Sequence, residues 1–144
     1  MENARKDDPD LDRFGQAIDA LLSSREALLV RYCGLLSLGL DDRDALGQAL
    51  VEFNQTLTDY LALGHFEVLE PSVADAERGG ADREPQRAVT AAIRMTTDRI
   101  LGFTERYGVS HPLVELAADL EQLGQVMANR FELEDRFLRE ARPA

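Results

Sequence analysis

One stretch of this chain, residues 57–70, holds residue types that could bind a metal ion. It contains His65, one of only two histidines in the 144 residues. A histidine and a carboxylate four residues apart on a helix can share a metal, because both side chains then lie on one face. Here the position four residues after His65 is Leu69, and the carboxylate stands one residue later, at Glu70. The spacing that a shared ligand pair needs is therefore missing.

A second stretch, residues 129–135, partly repeats the first near the C-terminus. Arg130 stands at the histidine position, and Glu134 keeps the four-residue spacing. One histidine and scattered acids do not build a transition-metal site, and the guanidinium of Arg130 would repel a cation, so we predict no metal and no cofactor. Arg130 and Glu134 have two other interpretations: an ion pair on the helix surface, or a partly buried polar cluster with His65.

The two stretches together resemble the His-Phe-x-x-Glu motif of hemerythrin-like domains, carried here by His65 and Phe66 and echoed by Arg130 and Glu134. That resemblance implies a degenerate domain that senses a metal ion or oxygen inside a helix bundle. It is retained as the alternative hypothesis for function.

No motif of an enzyme is present in the rest of the chain. There is no Gly-rich phosphate loop, no Gly-x-Ser-x-Gly and no Cys-x-x-Cys. The single cysteine, Cys33, can form no disulfide within the chain, and we expect it to be a small packed residue on a helix. The N-terminus is polar and acidic, and no run of 18 apolar residues occurs. These features predict a cytoplasmic protein that is not an enzyme and does not enter a membrane.

The apolar residues recur at helical spacing along the whole chain, and no segment alternates as a strand would. Asp41 or Asp42 can cap the second helix, and Pro71 can end it. We therefore predict an all-α fold, an antiparallel up-down four-helix bundle with long helices. The predicted parts are a disordered tail over 1–10, a single domain over 11–141, helices over about 11–38, 42–70, 85–107 and 111–140, and a loop over 72–83.

The charge of the chain is strongly acidic and unevenly placed. The net charge is −11, from 27 acidic and 16 basic residues. Residues 41–70 alone carry seven acidic residues and one basic residue. Direct binding to nucleic acid needs clustered basic residues and is not expected. An acidic segment instead attracts a basic partner, although acidity that only aids solubility is the commoner case.

A helical wheel of the second helix separates a core stripe from an outer face. The core stripe consists of Leu46, Leu50, Phe53, Leu57, Leu61, Gly64 and Val68, with Tyr60 at its edge. The outer face carries Glu52, Gln55, Asp59, Ala62, Phe66 and Glu70, flanked by Leu63 and Leu69. An exposed phenylalanine among small, apolar and acidic residues has the composition of a partner-binding patch. A local twist that buries Phe66 is the other possibility.

Three blocks of the sequence resemble the Rsd/AlgQ family of sigma-factor regulators. The first two are Ile18-Asp19-x-x-Leu22-x-x-Arg25-x-x-Leu28-Leu29-Val30-x-Tyr32 and Asp59-Tyr60-Leu61-x-x-Gly64-His65-Phe66, and the third is Arg130-Phe131-x-Leu133-Glu134-Asp135. The resemblance covers about residues 15–70 and 115–140. This chain departs from the pattern at Leu21, where the family pattern suggests a tryptophan, and at Pro71.

The resemblance implies an anti-sigma factor with a four-helix fold. Such proteins bind the housekeeping sigma factor of RNA polymerase, mainly through its basic C-terminal domain, which reads the promoter −35 element. Binding would free core polymerase for alternative sigma factors, typically in stationary phase. The sigma-contacting surface that the resemblance implies falls on Asp59, Ala62 and Phe66. A further hypothesis is an adaptor for other regulatory proteins, such as a sugar-phosphotransferase carrier or an alarmone enzyme.

Overall fold

The structure, a computed structural model, describes residues 9–38, 42–65, 84–108 and 113–141. Within these residues the chain forms four α-helices and no strand, so the prediction of an all-α fold is confirmed. The helices are α1 (Pro9–Ser37), α2 (Arg43–Leu63), α3 (Glu84–Arg106) and α4 (Leu116–Ala141), and a 3₁₀ turn (Leu113–Glu115) leads into α4.

The helix ends follow from local sequence. The side chain of Asp42 accepts a hydrogen bond from the backbone N–H of Ala45 at 3.1 Å, so Asp42, one of the two predicted caps, is the N-cap of α2. α1 begins at Pro9, in keeping with the preference of proline for the first helical turn. Most of the predicted N-terminal tail, residues 66–70 of the predicted second helix and the predicted loop over 72–83 lie outside the described residues.

The core is built from one buried stripe on each helix. α1 packs mainly against α2, and α3 mainly against α4. The predicted stripe of α2 is confirmed as far as it is described, because Leu46, Leu50, Phe53, Leu57, Leu61 and Gly64 are all buried. Tyr60 is fully buried rather than at the stripe's edge. Phe53 lies at the centre of an aromatic group, with ring centroids 6.1 Å from those of Tyr32 and Phe103.

The contacts between α1 and α4 occur in opposite residue order along the two helices. The hydroxyl of Tyr32 donates to the backbone oxygen of Leu120 at 2.7 Å, whereas Arg25, earlier in α1, reaches the later Phe131. The contacts between α3 and α4 have the same reversed order. This is the order that the predicted antiparallel bundle requires.

α1 differs from the other helices in the apolar surface that it leaves exposed. Five of the nine exposed large apolar side chains among the described residues lie on α1 or directly after it: Leu22, Leu29, Val30, Leu36 and Leu38. Cys33 is exposed as well, so the prediction that it is packed was wrong. None of the helices in the described ranges is both long and apolar enough to cross a membrane.

Candidate partner-binding face and the buried cluster behind it

The outer face of α2 is exposed where the helical wheel places it. Glu52, Gln55, Asp59 and Ala62 are exposed, and Leu63 is half-buried at the edge of the face. These five residues share the side of α2 that points away from the core, because they are offset from the buried stripe by about half a turn. Phe66 and Glu70, the other two residues predicted for this face, lie outside the described residues.

The end of α2 departs from regular α-helical geometry just before Phe66. α2 ends at Leu63, and residues 64 and 65 form a π-helical turn. A π turn contains more residues than an α turn, so it rotates every later side chain about the helix axis. The wheel that places Phe66 and Glu70 on the outer face assumes an unbroken α-helix, and their outward orientation therefore stays a prediction.

The acids on this face differ in how far their charge is already compensated. Glu52 forms an ion pair with Arg31 of α1 at 3.1 Å, and both side chains are about half exposed. An exposed pair of this kind contributes about 0–1 kcal/mol. Asp59 is exposed, and none of the described residues forms an ion pair with it. Val51, four positions before Gln55, is an exposed apolar residue that was not among those predicted for this face.

Behind this face, on the core side of α2, Tyr60 joins a buried cluster of charged residues. Its hydroxyl donates a hydrogen bond to the carboxylate of Glu134, which is 2% exposed. The same carboxylate accepts from Nη2 of Arg25 at 3.0 Å and from Nε of Arg130 at 3.1 Å. A buried carboxylate needs several donors to offset its lost hydration, and Glu134 has them from α1, α2 and α4.

Arg130 extends the cluster to the remaining helix. This side chain is only 1% exposed, and its Nη1 donates to the hydroxyls of Thr97 at 2.6 Å and Thr96 at 3.2 Å. Both threonines lie on α3, so the cluster contains residues of all four helices. Each helix is thereby held in register with the others by hydrogen bonds as well as by apolar packing.

Two positive charges face two negative charges in this cluster. Arg25 also pairs with Asp135 at 2.8 Å, which leaves Arg25 and Arg130 opposite Glu134 and Asp135. Burial, together with the negative charge and hydrogen bond of Glu134, raises the pKa of Tyr60 well above its usual range. Tyr60 therefore remains a hydrogen-bond donor at neutral pH.

Aromatic rings complete the surroundings of the two guanidinium groups. The Arg25 guanidinium lies 5.1 Å from the ring centroid of Phe131, and that of Arg130 lies 5.6 Å from the ring of Tyr60. These distances are within the range of cation–π attraction. The rings of Tyr60 and Phe131 are themselves edge to face at 5.8 Å. Packed aromatic side chains therefore line the cluster.

The cluster decides between the two interpretations of Arg130 and Glu134. The interpretation as an ion pair on the helix surface was wrong, because both side chains are almost fully buried. The polar cluster is present, but its partners are Arg25 and Tyr60 rather than His65, which is exposed. One signal in the sequence could have identified Arg25: it lies four residues after a buried leucine and three before another, on the core side of α1.

The same geometry bears on the hemerythrin-like alternative. The position where a repeated motif would place a histidine ligand holds the guanidinium of Arg130, which is hydrogen-bonded to Glu134. Among the residues that the structure describes, no group of three or more His, Cys, Asp or Glu could hold a metal ion. The described part of the chain does not favour a metal site.

Comparison with known proteins identifies the family. Residues 1–141 match the family described as regulator of RNA polymerase sigma(70) subunit, Rsd/AlgQ. The match covers nearly the whole chain, so this protein belongs to the Rsd/AlgQ family of regulators of the RNA polymerase sigma(70) subunit. The resemblance that the three sequence blocks carry is thereby confirmed.

Proteins named "Regulator of sigma D" are among the relatives of this chain. One from Pectobacterium carotovorum is 30% identical over 134 residues, which cover 85% of each chain. Two others, from Yersinia pseudotuberculosis and Yersinia enterocolitica, are 28% identical over 134 residues, covering 85% of this chain and 78% of theirs. No solved structure matched the chain.

Proposed function

We propose that this protein is a cytoplasmic anti-sigma factor that binds the housekeeping sigma factor of RNA polymerase, chiefly through the sigma factor's C-terminal domain. It acts as a non-enzymatic, antiparallel four-helix bundle. The observation that carries the proposal is the family match over residues 1–141. The relatives' name, regulator of sigma D, agrees with a role in sigma-factor regulation.

The proposed binding surface is the outer face of α2. It comprises Glu52, Gln55, Asp59, Ala62, Leu63, Phe66 and Glu70. Small and apolar residues at its centre can be desolvated on binding, and acids at its edge can pair with arginine or lysine. Asp59 is the strongest candidate for such a pair, because no described residue of this chain already neutralises it.

The mechanism is occlusion. A domain that reads the −35 element presents basic residues to DNA phosphates, and an acidic protein face can occupy those same residues. While the domain is bound to α2 it is unavailable to the promoter and to core polymerase. Because the attraction is largely between charges near the surface, the complex weakens as salt is added.

The buried cluster supports this role by fixing the orientation of the face. Tyr60 follows Asp59 directly in the sequence and is hydrogen-bonded to Glu134 on the opposite side of α2. A helix held from its inner side loses little conformational freedom when its outer side binds a partner. The face is therefore preorganised for binding.

Titration of the purified sigma factor with three variants of this protein tests the proposed face. Asp59→Lys and Phe66→Ala should each weaken binding by more than about 1 kcal/mol, or about fivefold, as expected for residues at an interface centre. Asp98→Lys is the matched control, because it makes the same charge change at an exposed position of α3. Circular dichroism checks that each variant remains folded.

Equal binding by all three variants and the parent protein would remove this face from the account. Equal weakening by Asp59→Lys and Asp98→Lys would show that only net charge matters. The expected pattern is a loss of affinity for the two α2 variants alone.

A further inference from the structure

A row of exposed leucines runs along α1, away from the proposed sigma-binding face. Leu22, Leu29 and Leu36 are spaced by seven residues, and their exposed fractions are 46%, 43% and 54%. A seven-residue spacing places side chains on nearly one line along a helix, as in the contact seam of a coiled coil. Cys33, also exposed, lies beside this line. Exposed apolar residues that are aligned in this way form a continuous surface rather than isolated positions.

The neighbouring helix, α4, carries small residues on the side that lies towards α1. α4 lies beside α1, as the hydrogen bond from Tyr32 to Leu120 shows. The following residues on that line of α4 are Gly124 and Ala128, which have little or no side chain to cover the leucines. A Cβ atom at Gly124 would collide with the Tyr32 hydroxyl, so a larger residue cannot stand there without displacing Tyr32. The strip formed by the leucine row of α1 and these small residues of α4 is termed the groove.

Acidic residues border the groove on both helices. Asp19 and Glu26 are exposed on α1, on the side of the row that faces away from α4. Glu121 and Asp135 are exposed on α4.

The arginines in this part of α1 offset only one of these four charges. Arg25 is buried and pairs with Glu134 of the core and with Asp135 of the rim. Arg31 points to the other side of α1 and pairs with Glu52 of α2. The rim of the groove is therefore acidic around an apolar row.

We propose that this groove, formed by the row Leu22, Leu29 and Leu36 and its acidic rim, binds an amphipathic helix of a protein partner whose apolar stripe is flanked by lysine or arginine. The apolar row would pack against the partner's stripe, and the rim would pair with its basic residues. A second copy of this chain fits less well, because its own acidic rim would meet the first at close range.

The groove is separate from the α2 face. Arg31, which contacts α2, projects from α1 almost opposite to Leu29, by about 160° on a helical wheel at roughly 100° per residue. The proposed site therefore does not depend on sigma binding through Asp59.

The exposed single cysteine allows a direct test with the full chain. The probe is a synthetic helical peptide with leucine at every seventh position and lysine on both flanks, and the control peptide carries glutamate in place of lysine. The rate at which iodoacetamide alkylates Cys33 reports whether the groove is covered. The lysine peptide should slow alkylation about tenfold at saturation, and the glutamate peptide should leave the rate unchanged.

Three variants locate the binding site. Leu29→Glu should weaken the peptide's protection of Cys33 about tenfold, because it places a charge in the middle of the apolar row. Val51→Glu is the matched control, since it makes the same change at an exposed apolar position of α2. Asp59→Lys should also leave peptide binding unchanged, which separates this proposal from the sigma-binding one.

Four results would overturn the proposal. The first is protection by both peptides or by neither, and the second is equal weakening by Leu29→Glu and Val51→Glu. The third is alkylation that slows as the protein alone is concentrated, which would indicate a second copy in the groove. The fourth is slow alkylation at low protein concentration without peptide, which would indicate that another segment of this chain covers the row.

Discussion

Replacing Glu134 by glutamine removes one negative charge from the buried cluster and keeps the size of the side chain. Glu134 accepts hydrogen bonds from Tyr60, Arg25 and Arg130, and it is 2% exposed. After the substitution, the only partners of Arg130 are neutral oxygens, those of α3 and that of the new side-chain amide, and Arg130 stays buried. The substitution therefore leaves a buried positive charge without its counter-ion.

The expected cost follows from the burial of both partners. Removing one member of a buried ion pair typically destabilises a protein by about 3–5 kcal/mol. Glutamine retains a carbonyl acceptor, and Asp135 stays paired with Arg25 at 2.8 Å. We therefore expect a loss of about 3 kcal/mol in the free energy of unfolding, at the lower end of that range. This is a large share of the roughly 5–15 kcal/mol that stabilises a typical domain.

The matched control lies on the same helix. Arg136 and Glu140 form a second ion pair on α4 with the same four-residue spacing, but both side chains are well exposed. Glu140→Gln should cost only a few tenths of a kcal/mol. Urea unfolding followed by circular dichroism at neutral pH measures both variants. Equal, small losses in the free energy of unfolding for Glu134→Gln and Glu140→Gln would refute the conclusion that the cluster is a buried ion-pair network.

Three further predictions test the tyrosines, the glycines and the metal-binding alternative. Because the pKa of Tyr60 is raised in the folded protein, the free energy of unfolding should fall as pH rises above about 10, where the unfolded chain releases the phenol proton first. Urea titrations across this pH range should show that the free energy of unfolding falls less steeply for Tyr60→Phe than for the parent protein. The same pH dependence in both proteins would contradict the burial and the hydrogen bond of Tyr60. Gly102→Ala, with no atom within 4 Å of the new methyl group, should raise the free energy of unfolding by about 0.5–1 kcal/mol, because alanine favours a helix more than glycine does. Gly124→Ala should give a free energy of unfolding at least about 1 kcal/mol below that of Gly102→Ala, because its methyl group also displaces the Tyr32 hydroxyl from its acceptor, and thermal unfolding compares the two variants. Protein incubated with ferrous iron and then desalted should show no iron-dependent absorbance, and stoichiometric bound iron would support the hemerythrin-like alternative.

The helices and the core side of α2 could be predicted because apolar periodicity is a local property of the sequence. The stripe from Leu46 to Leu61 repeats at intervals of three and four residues, and such a stripe becomes buried whichever helix packs against it. The N-cap at Asp42 is equally local, since its bond to Ala45 spans three residues. The exposure of Asp59 then follows from its position opposite the stripe.

The buried cluster could not be predicted in full, because its hydrogen bonds join residues far apart in the sequence. Glu134 and Arg25 are separated by 109 positions, and only the packing of α1 beside α4 brings them together. A charged residue is ordinarily exposed, so Arg25 was not expected in the core. The exposure of the leucine row on α1 could not be predicted for a related reason, because whether Leu29 is buried depends on how closely another helix packs against it.

Co-purification from cells tests the central claim, sigma binding, most directly. A tagged form of this protein is isolated at low salt, and the proteins that elute with it are identified and counted against the subunits of core polymerase. The housekeeping sigma factor should elute with this protein, without core subunits. Its recovery should be lost at high salt and should be reduced by Asp59→Lys but not by Asp98→Lys. Absence of the sigma factor, or its recovery only together with core polymerase, would contradict the central claim.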